Sequence, residues 1–239
     1  MFYTDIHCHL ISGVDDGAKT PDVMYEMLGL AYHAGTRNIC ATPHYFPDLF
    51  GGSGEKSVRA FEALQKYAGD RFPDMKLFYA NELGYHTSWR TAVESGACKL
   101  MGNKYLFVDF PADLSLFEIS YAMDDMLCTG VPIVLAHVER YIALRGEYDK
   151  INDWCRRGAV LQVNASAFSP NRPLRYRNHV KKLITKCPIT AVASDGHNLT
   201  SRPPLLYRTE ERIVKKYGYE QAEYWLFHAP LRLLEGKSL

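Results

Sequence analysis

The chain has almost no excess of either charge: 28 Lys+Arg stand against 27 Asp+Glu, a formal net charge of +1 over 239 residues. That excludes the broad basic field that would by itself suggest nucleic acid or an anionic membrane surface as partner, so any bound anion must meet a local charge. Cysteine is sparse and dispersed. Cys8, Cys40, Cys98, Cys128, Cys155 and Cys187 form no C-x-x-C pair and no C-x5-R loop, which removes the short zinc and redox motifs and the cysteine-phosphatase signature. No apolar run approaches the roughly 18 residues of a spanning helix. Met1 leads directly into a polar-punctuated segment without a signal-like apolar region. Reduced thiols, a cytoplasmic location, no membrane insertion and no nucleic-acid partner are therefore expected. Linkers, low-complexity tracts and charge blocks are also missing, so residues 1–239 are expected to form one domain.

What is present is a rhythm. With 47% hydrophobic and 23% charged residues the chain has ordinary globular composition. Short β-branched or aromatic segments alternate with helical ones. Candidate strands are Phe2–His7, Arg37–Thr42, Lys76–Asn81, Tyr105–Phe110, Pro132–His137, Val160–Asn164 and Thr190–Ser194. Helices are expected near Pro21–Ala34, Ser57–Tyr67, Leu116–Thr129, Tyr148–Arg157, Tyr176–Lys186 and Pro204–Tyr217. The first of these has Thr20 as cap, Pro21 in the opening turn and Gly35 beyond its end. Repeated βα units predict an α/β fold of parallel strands with surrounding helices. A closed or nearly closed barrel explains why metal-binding residue types recur at the C-terminal ends of the strands, the functional face of such barrels.

The first strand runs into His7-Cys8-His9, and period-two alternation places both imidazoles on one side and the thiol on the other. Asp16 follows in a short loop. Later strands end at or near His44, Glu82, Asp109 and His137, and the last runs into Asp195-Gly196-His197. Each residue alone has an ordinary reading, such as a helix cap for Asp109. Independent structural roles do not explain their recurrence along one edge. Mixed imidazole and carboxylate donors suit Zn, Mn or Fe, and more donors than one ion can use imply a multinuclear site. Such a site favours in-line displacement at phosphorus without a side-chain nucleophile. Arg140 and Arg202 follow His137 and His197 closely enough to grip phosphate oxygens, although a surface ion pair would place them equally well. His86 could reach the site mouth and Tyr45 and Phe46 could flank the ring of an aromatic phosphoester, although solvent exposure and loop packing are the commoner roles; the Arg172, Arg175, Arg177 cluster could guide an acidic phosphopeptide, and a solvated helix start explains it equally well. Cys8 and Cys40, inside strands, are expected in the core.

The segments DIHCHL, GVDDGAKT, ATPHY, NELGY, AHVERY, QVNASAF and SDGHNLTSRPP, with APLRLLEGK near the end, resemble the polymerase and histidinol phosphatase (PHP) superfamily. Within it they are most similar to the bacterial tyrosine-protein phosphatases of capsule and exopolysaccharide operons, the CpsB/YwqE type. The resemblance spans nearly the whole chain. It implies a distorted (β/α)7 barrel, a single PHP-type catalytic domain and three divalent ions, most often manganese. By position one ion would take His7, His9, Glu82 and Asp195, a second Glu82, Asp109 and His137, and the third Asp16, His44 and His197. It further implies hydrolysis of phosphotyrosine by a metal-bridging hydroxide, with Arg140, Arg202 and Asp195 as catalytic residues. The implied substrate is a phosphotyrosine protein, the C-terminal tail of an autophosphorylating polysaccharide-export kinase.

Two departures stand out. Asp109 occupies a place where the family commonly has Glu, which leaves direct or water-mediated ligation open. Val138 replaces a more usual proline or isoleucine at a packing position. The alternatives are a PHP phosphatase of a small phosphomonoester such as histidinol phosphate, an amidohydrolase-type C–N hydrolase, and a catalytically silent metal-bound module.

Overall fold

The computed structural model describes residues 1–46 and 54–239. The strands are β1 (Tyr3–Cys8), β2 (Thr36–Ala41), β3 (His44–Tyr45), β4 (Lys76–Tyr79), β5 (Glu82–Gly84), β6 (Leu106–Asp109), β7 (Ile133–Leu135), β8 (Val160–Asn164) and β9 (Ile189–Ala193). They form two sheets, β1-β2-β4 and β3-β5-β6-β7-β8-β9, with every strand pair parallel. All seven expected strands are present, two of them in halves. β2 resumes as β3 after Thr42-Pro43, where proline offers no N–H to the ladder. β4 resumes as β5 after Ala80-Asn81.

Backbone hydrogen bonds carry each break. Ala80 N donates to Ala41 O at 3.1 Å and Glu82 N to Pro43 O at 3.2 Å. The ring is joined on the other side by Asp195 N to His7 O at 2.9 Å and His9 N to Gly196 O at 2.8 Å. Taken together these contacts link seven parallel strands in chain order around a barrel.

The helices are α1 (Pro21–His33), α2 (Glu55–Arg71), α3 (Trp89–Glu94), α4 (Leu116–Cys128), α5 (Tyr148–Arg156), α6 (Leu174–Lys186), α7 (Tyr207–Tyr217), α8 (Tyr219–Glu223) and α9 (Ala229–Leu234). α1 starts as the sequence predicts: the Thr20 side chain accepts from Val23 N, and Gly35 follows the helix at φ +102°. α7 begins later than expected, after the Pro203-Pro204 pair, because Leu205 N turns back to Pro203 O at 2.8 Å and the helical ladder starts only with Glu210 N to Leu206 O at 3.0 Å. The short α3, α8 and the π turn Tyr224–His228 are too brief or irregular to show a helical period.

Inside the barrel, mostly small side chains (Cys40, Ala80, Ala136, Ala191, Ala193) pack around Ile6, Phe107 and Val134. α9 adds Leu233 and Leu234 to this interior cluster. Outside, two larger apolar clusters bind the strands to the helices, one under α1 and α2 and the other under α4 to α7 with Trp154 fully buried. Filling the interior from one end leaves the opposite rim to the polar side chains.

Candidate metal centre

That rim gathers the ionisable side chains singled out from the sequence. β1 delivers His7 and His9, with Nε2 atoms 3.1 Å apart. Glu82, at the start of β5, sits among the imidazoles: its Oε2 lies 3.2 Å from both His7 Nε2 and His9 Nε2 and 3.1 Å from His44 Nδ1. Its other oxygen is 3.0 Å from His137 Nε2. Asp195 Oδ1 lies 3.4 Å from His7 Nε2 and 3.6 Å from His9 Nε2. Asp16 Oδ1, the exposed member, is 3.5 Å from His44 Nε2 and 3.3 Å from His197 Nε2. His7, His9, Glu82, His137, Asp195 and His197 are buried.

Three donor groups result, each with its atoms within 4.8 Å of one another: His7, His9 and Asp195; His7, Glu82 and His137; and His9, Asp16, His44 and His197. His7 and His9 thus each border two groups, which spacing alone did not reveal. Asp109 stands at the edge. Its Oδ1 is 3.7 Å from His137 Nε2 and accepts from the Tyr141 hydroxyl at 2.9 Å.

Residues that the sequence reading passed over hold these donors in place. His9 Nδ1 meets Asp15 Oδ2 at 2.8 Å, and Asp15 also accepts from the backbone N–H groups of Gly17 and His44. Gln162 Oε1 lies 3.2 Å from His7 Nδ1 and accepts from His137 N at 2.8 Å. Asn164 Nδ2 donates to Asp195 Oδ2 at 2.7 Å. An imidazole whose second nitrogen is held by a carboxylate or amide is the usual outer support of a metal-ligating histidine. Gln162 and Asn164 sat inside QVNASAF, and their places two apart on β8 were the available signal. His137 and Asp195 both adopt left-handed backbone, at φ 31° and 54°, a costly conformation for non-glycine residues that clusters at functional sites.

Electrostatics and unsatisfied atoms agree on a cation. Burial alone would raise the Glu82 and Asp195 carboxyls, but His7 and its neighbouring imidazoles outweigh it and hold both well below the usual carboxylate range. Burial opposes protonation of His9, yet Asp15, Asp195 and Glu82 push its pKa well above the ordinary value. Glu82 Oε2 is buried among three imidazole nitrogens at 3.1–3.2 Å, and His137 Nδ1 is buried without a hydrogen-bond partner. His9 and His137, driven to hold protons between carboxylates, and a Glu82 oxygen crowded by imidazoles make a donor set that a divalent ion fits by displacing those protons.

At the solvent side of Asp195, Arg202 Nη2 approaches Oδ2 at 2.6 Å and Arg140 Nη1 approaches it at 3.4 Å. Arg202 is placed by a tight loop in which Asn198 Oδ1 accepts from the N–H groups of Thr200, Ser201 and Arg202. Cys8 and Cys40 are fully buried, and burial pushes both thiols up, so neither is a nucleophile. Tyr45 and Phe46 pack against His86, with ring centroids 6.3 and 6.1 Å apart. Of the three arginines near α6, Arg172 lines the cleft beside Arg140 and Arg202, whereas Arg175 lies in a separate groove with Arg145.

A family model for capsular polysaccharide synthesis, CpsB/CapC, matches residues 3–235. This chain belongs to the CpsB/CapC family. The tyrosine-protein phosphatase CpsB of Streptococcus agalactiae serotype V is 27% identical to this CpsB/CapC member over 224 residues, covering 91% of this chain and 92% of the relative. The CpsB of Streptococcus pneumoniae is 26% identical over 238 residues, covering 96% and 97%. A crystal structure from work on YwqE of Bacillus subtilis and CpsB of Streptococcus pneumoniae, described as metal-dependent tyrosine phosphatases, matches the fold with a TM-score of 0.86. Its identity is 23%, over 99% of this chain and 96% of that one.

Proposed function

We propose that the chain is a metal-dependent protein-tyrosine phosphatase. The observation that carries this reading is the meeting, at one carboxylate, of a buried histidine–carboxylate cluster with two half-exposed guanidiniums. His7, His9, Glu82 and Asp195 are assigned to one ion, Glu82, Asp109 and His137 to a second, and Asp16, His44 and His197 to a third, with manganese as the native metal. Divalent ions in such a site polarise phosphoryl oxygens and make a bound water nucleophilic near neutral pH.

The chain's own side chains do the rest. Arg140 and Arg202 are assigned to the phosphate oxygens, where planar guanidiniums bind with charge-assisted hydrogen bonds that strengthen as charge develops. Asp15, Gln162 and Asn164 keep His9, His7 and Asp195 in a fixed array, so little reorganisation is needed on reaction. Phenol is acidic beside an alkyl alcohol, with an unperturbed tyrosine pKa of about 10; a tyrosyl oxygen therefore leaves without a strong general acid, and none is assigned.

The site opens into a cleft of about 720 Å³, much wider than a single phosphoryl group, which favours a protein segment over a small phosphomonoester. The tail of a polysaccharide-export tyrosine autokinase is the proposed substrate, acted on in the cytoplasm by residues 1–239 as one catalytic domain. Among the described residues no helix is long and apolar enough to cross a membrane.

The deciding experiment compares metal-loaded wild type, His137→Ala and Arg140→Ala on a phosphotyrosine peptide and on histidinol phosphate. Loss of peptide turnover in both variants, with metal retained in Arg140→Ala, is expected. Full activity in His137→Ala would sink the metal mechanism, and preference for histidinol phosphate would move the chain to small-substrate chemistry.

A further inference from the structure

The cleft beyond Arg140 and Arg202 is far more basic than the hydrolysis of one phosphate needs. Its walls carry five arginines, Arg140, Arg172, Arg202, Arg208 and Arg212, against two carboxylates, Glu139 and Asp195. Neither carboxylate faces the outer wall: Asp195 is held by Asn164 and the two site arginines, and Glu139 is fully buried, with one oxygen accepting from Asn164 N at 3.3 Å and the other without a partner. The outer three arginines have no acidic partner among the described residues. Arg172 reaches only Ser166, with Nη2 3.1 Å from its hydroxyl, and stacks over Tyr176. Arg208 Nε donates to the Tyr207 hydroxyl at 3.0 Å. Arg212, one turn further along α7, lines the same wall.

Several arginines elsewhere on the surface meet carboxylates, Arg37 with Asp74, Arg90 with Asp125 and Arg157 with Asp124, and those that do not, such as Arg71 on the Tyr67 ring and Arg232 on Ser238 O, lie outside this cleft. In a chain with 28 basic and 27 acidic residues, gathering unpaired guanidiniums into one concave surface costs mutual repulsion, which a bound anion would relieve.

We propose that Arg172, Arg208 and Arg212 form a second anion subsite, which reads an acidic group borne by the substrate close to the phosphotyrosine being hydrolysed. The proposal rests on the phosphatase reading above and adds a specificity determinant to it. The ligand is a phosphate or a carboxylate on the same extended segment. A cleft of this volume is on the order of 9 Å across, a span that about three extended residues cover, so the acidic group lies within three residues of the target tyrosine.

The test uses three peptides built around the same target phosphotyrosine: one with neutral flanks, one with glutamate two residues away, and one with a second phosphotyrosine there. Metal-loaded wild type is compared with the Arg208→Gln/Arg212→Gln double variant, with Arg172→Gln, and with a charge-retaining Arg208→Lys/Arg212→Lys variant. The readout is the ratio of kcat/KM for each acidic peptide over the neutral one. Wild type is expected to favour the acidic peptides by about tenfold, the scale of one charge-assisted contact, mainly through KM. That ratio falls towards one in the glutamine variants and is largely kept in the lysine variant. A preference only for the doubly phosphorylated peptide identifies phosphate as the ligand; an equal preference for glutamate shows that any carboxylate serves.

A wild-type ratio near one, or a ratio unchanged in the glutamine variants, overturns the proposal. Fluorescence anisotropy with the same peptides gives a binding ratio that is read the same way. If no phosphotyrosine peptide is hydrolysed, the phosphatase reading fails on its own, and the anisotropy ratios still decide the subsite.

Discussion

Asp195 is the residue at which the separate parts of the site touch. One of its oxygens faces His7 and His9, while the other takes Asn164, Arg140 and Arg202. Replacing Arg202 or Arg140 by alanine removes a donor to Asp195 Oδ2 but none of the side chains assigned to metal. Each variant is expected to lose about 10²- to 10³-fold in kcat/KM, the usual cost of one preorganised donor, with metal content by elemental analysis unchanged. Loss of metal in these variants would show that the arginines hold the cluster together instead. Asp15 makes the opposite forecast. Its carboxylate touches only His9 Nδ1 and backbone N–H groups, so Asp15→Asn should weaken metal binding by about 10- to 100-fold. A competition titration against a chromophoric chelator measures this, and an unchanged affinity would remove Asp15 from its supporting role.

Elements near the rim are tuned by small local features. The loop after β9 is folded by Asn198, whose side-chain oxygen collects three N–H groups and thereby aims Arg202 inward. Asn198→Ala is expected to lower kcat/KM by at least tenfold while metal content and melting temperature stay close to wild type, since an exposed loop contributes little to global stability. The far end of the barrel is sealed by a different device. Gly102 and Gly236 sit at φ +58° and +66°, and a Cβ on Gly102 would come within 2.4 Å of Leu233 O. Gly102→Ala should therefore cost about 1–3 kcal/mol or more, read as a drop in melting temperature, because α9 would be pushed out of the barrel interior. A melting temperature equal to wild type would mean that α9 docks independently of this contact.

For the molecule as a whole, metal and fold are coupled through the rim, because ligands from β1, β5, β7 and the β9 loop are drawn to one point. Chelation is expected to abolish phosphatase activity, with manganese restoring it. It should also lower the melting temperature, since a ligand present at a hundred times its Kd stabilises by about 2.7 kcal/mol. Thermal scans with and without chelator check this, and identical melting curves would argue that the cluster stands preformed without metal. Trp154, fully buried in the outer core, offers a contrast: Trp154→Ala should cost about 3–5 kcal/mol whether or not metal is present.

Strand positions and the chemistry of the rim were legible from residue order because both depend on short-range periodicity. β-branched runs mark strands, and a donor at each strand end needs only the parallel rule to be placed on one side. His7, His9, Glu82, His137 and Asp195 could be named that way. The division of β2 from β3 and of β4 from β5, the π turn before α9, and the double use of His7 and His9, each by two donor groups, could not. Nor could the supports of the site, since Asp15, Gln162, Asn164 and Asn198 are polar residues with many ordinary uses until the fold shows what they face. The outer arginines show the same limit. Arg172, Arg208 and Arg212 are separated along the chain by up to 40 positions, and only closure of the barrel, which brings the β8 and β9 loops and the start of α7 together, makes them one basic wall.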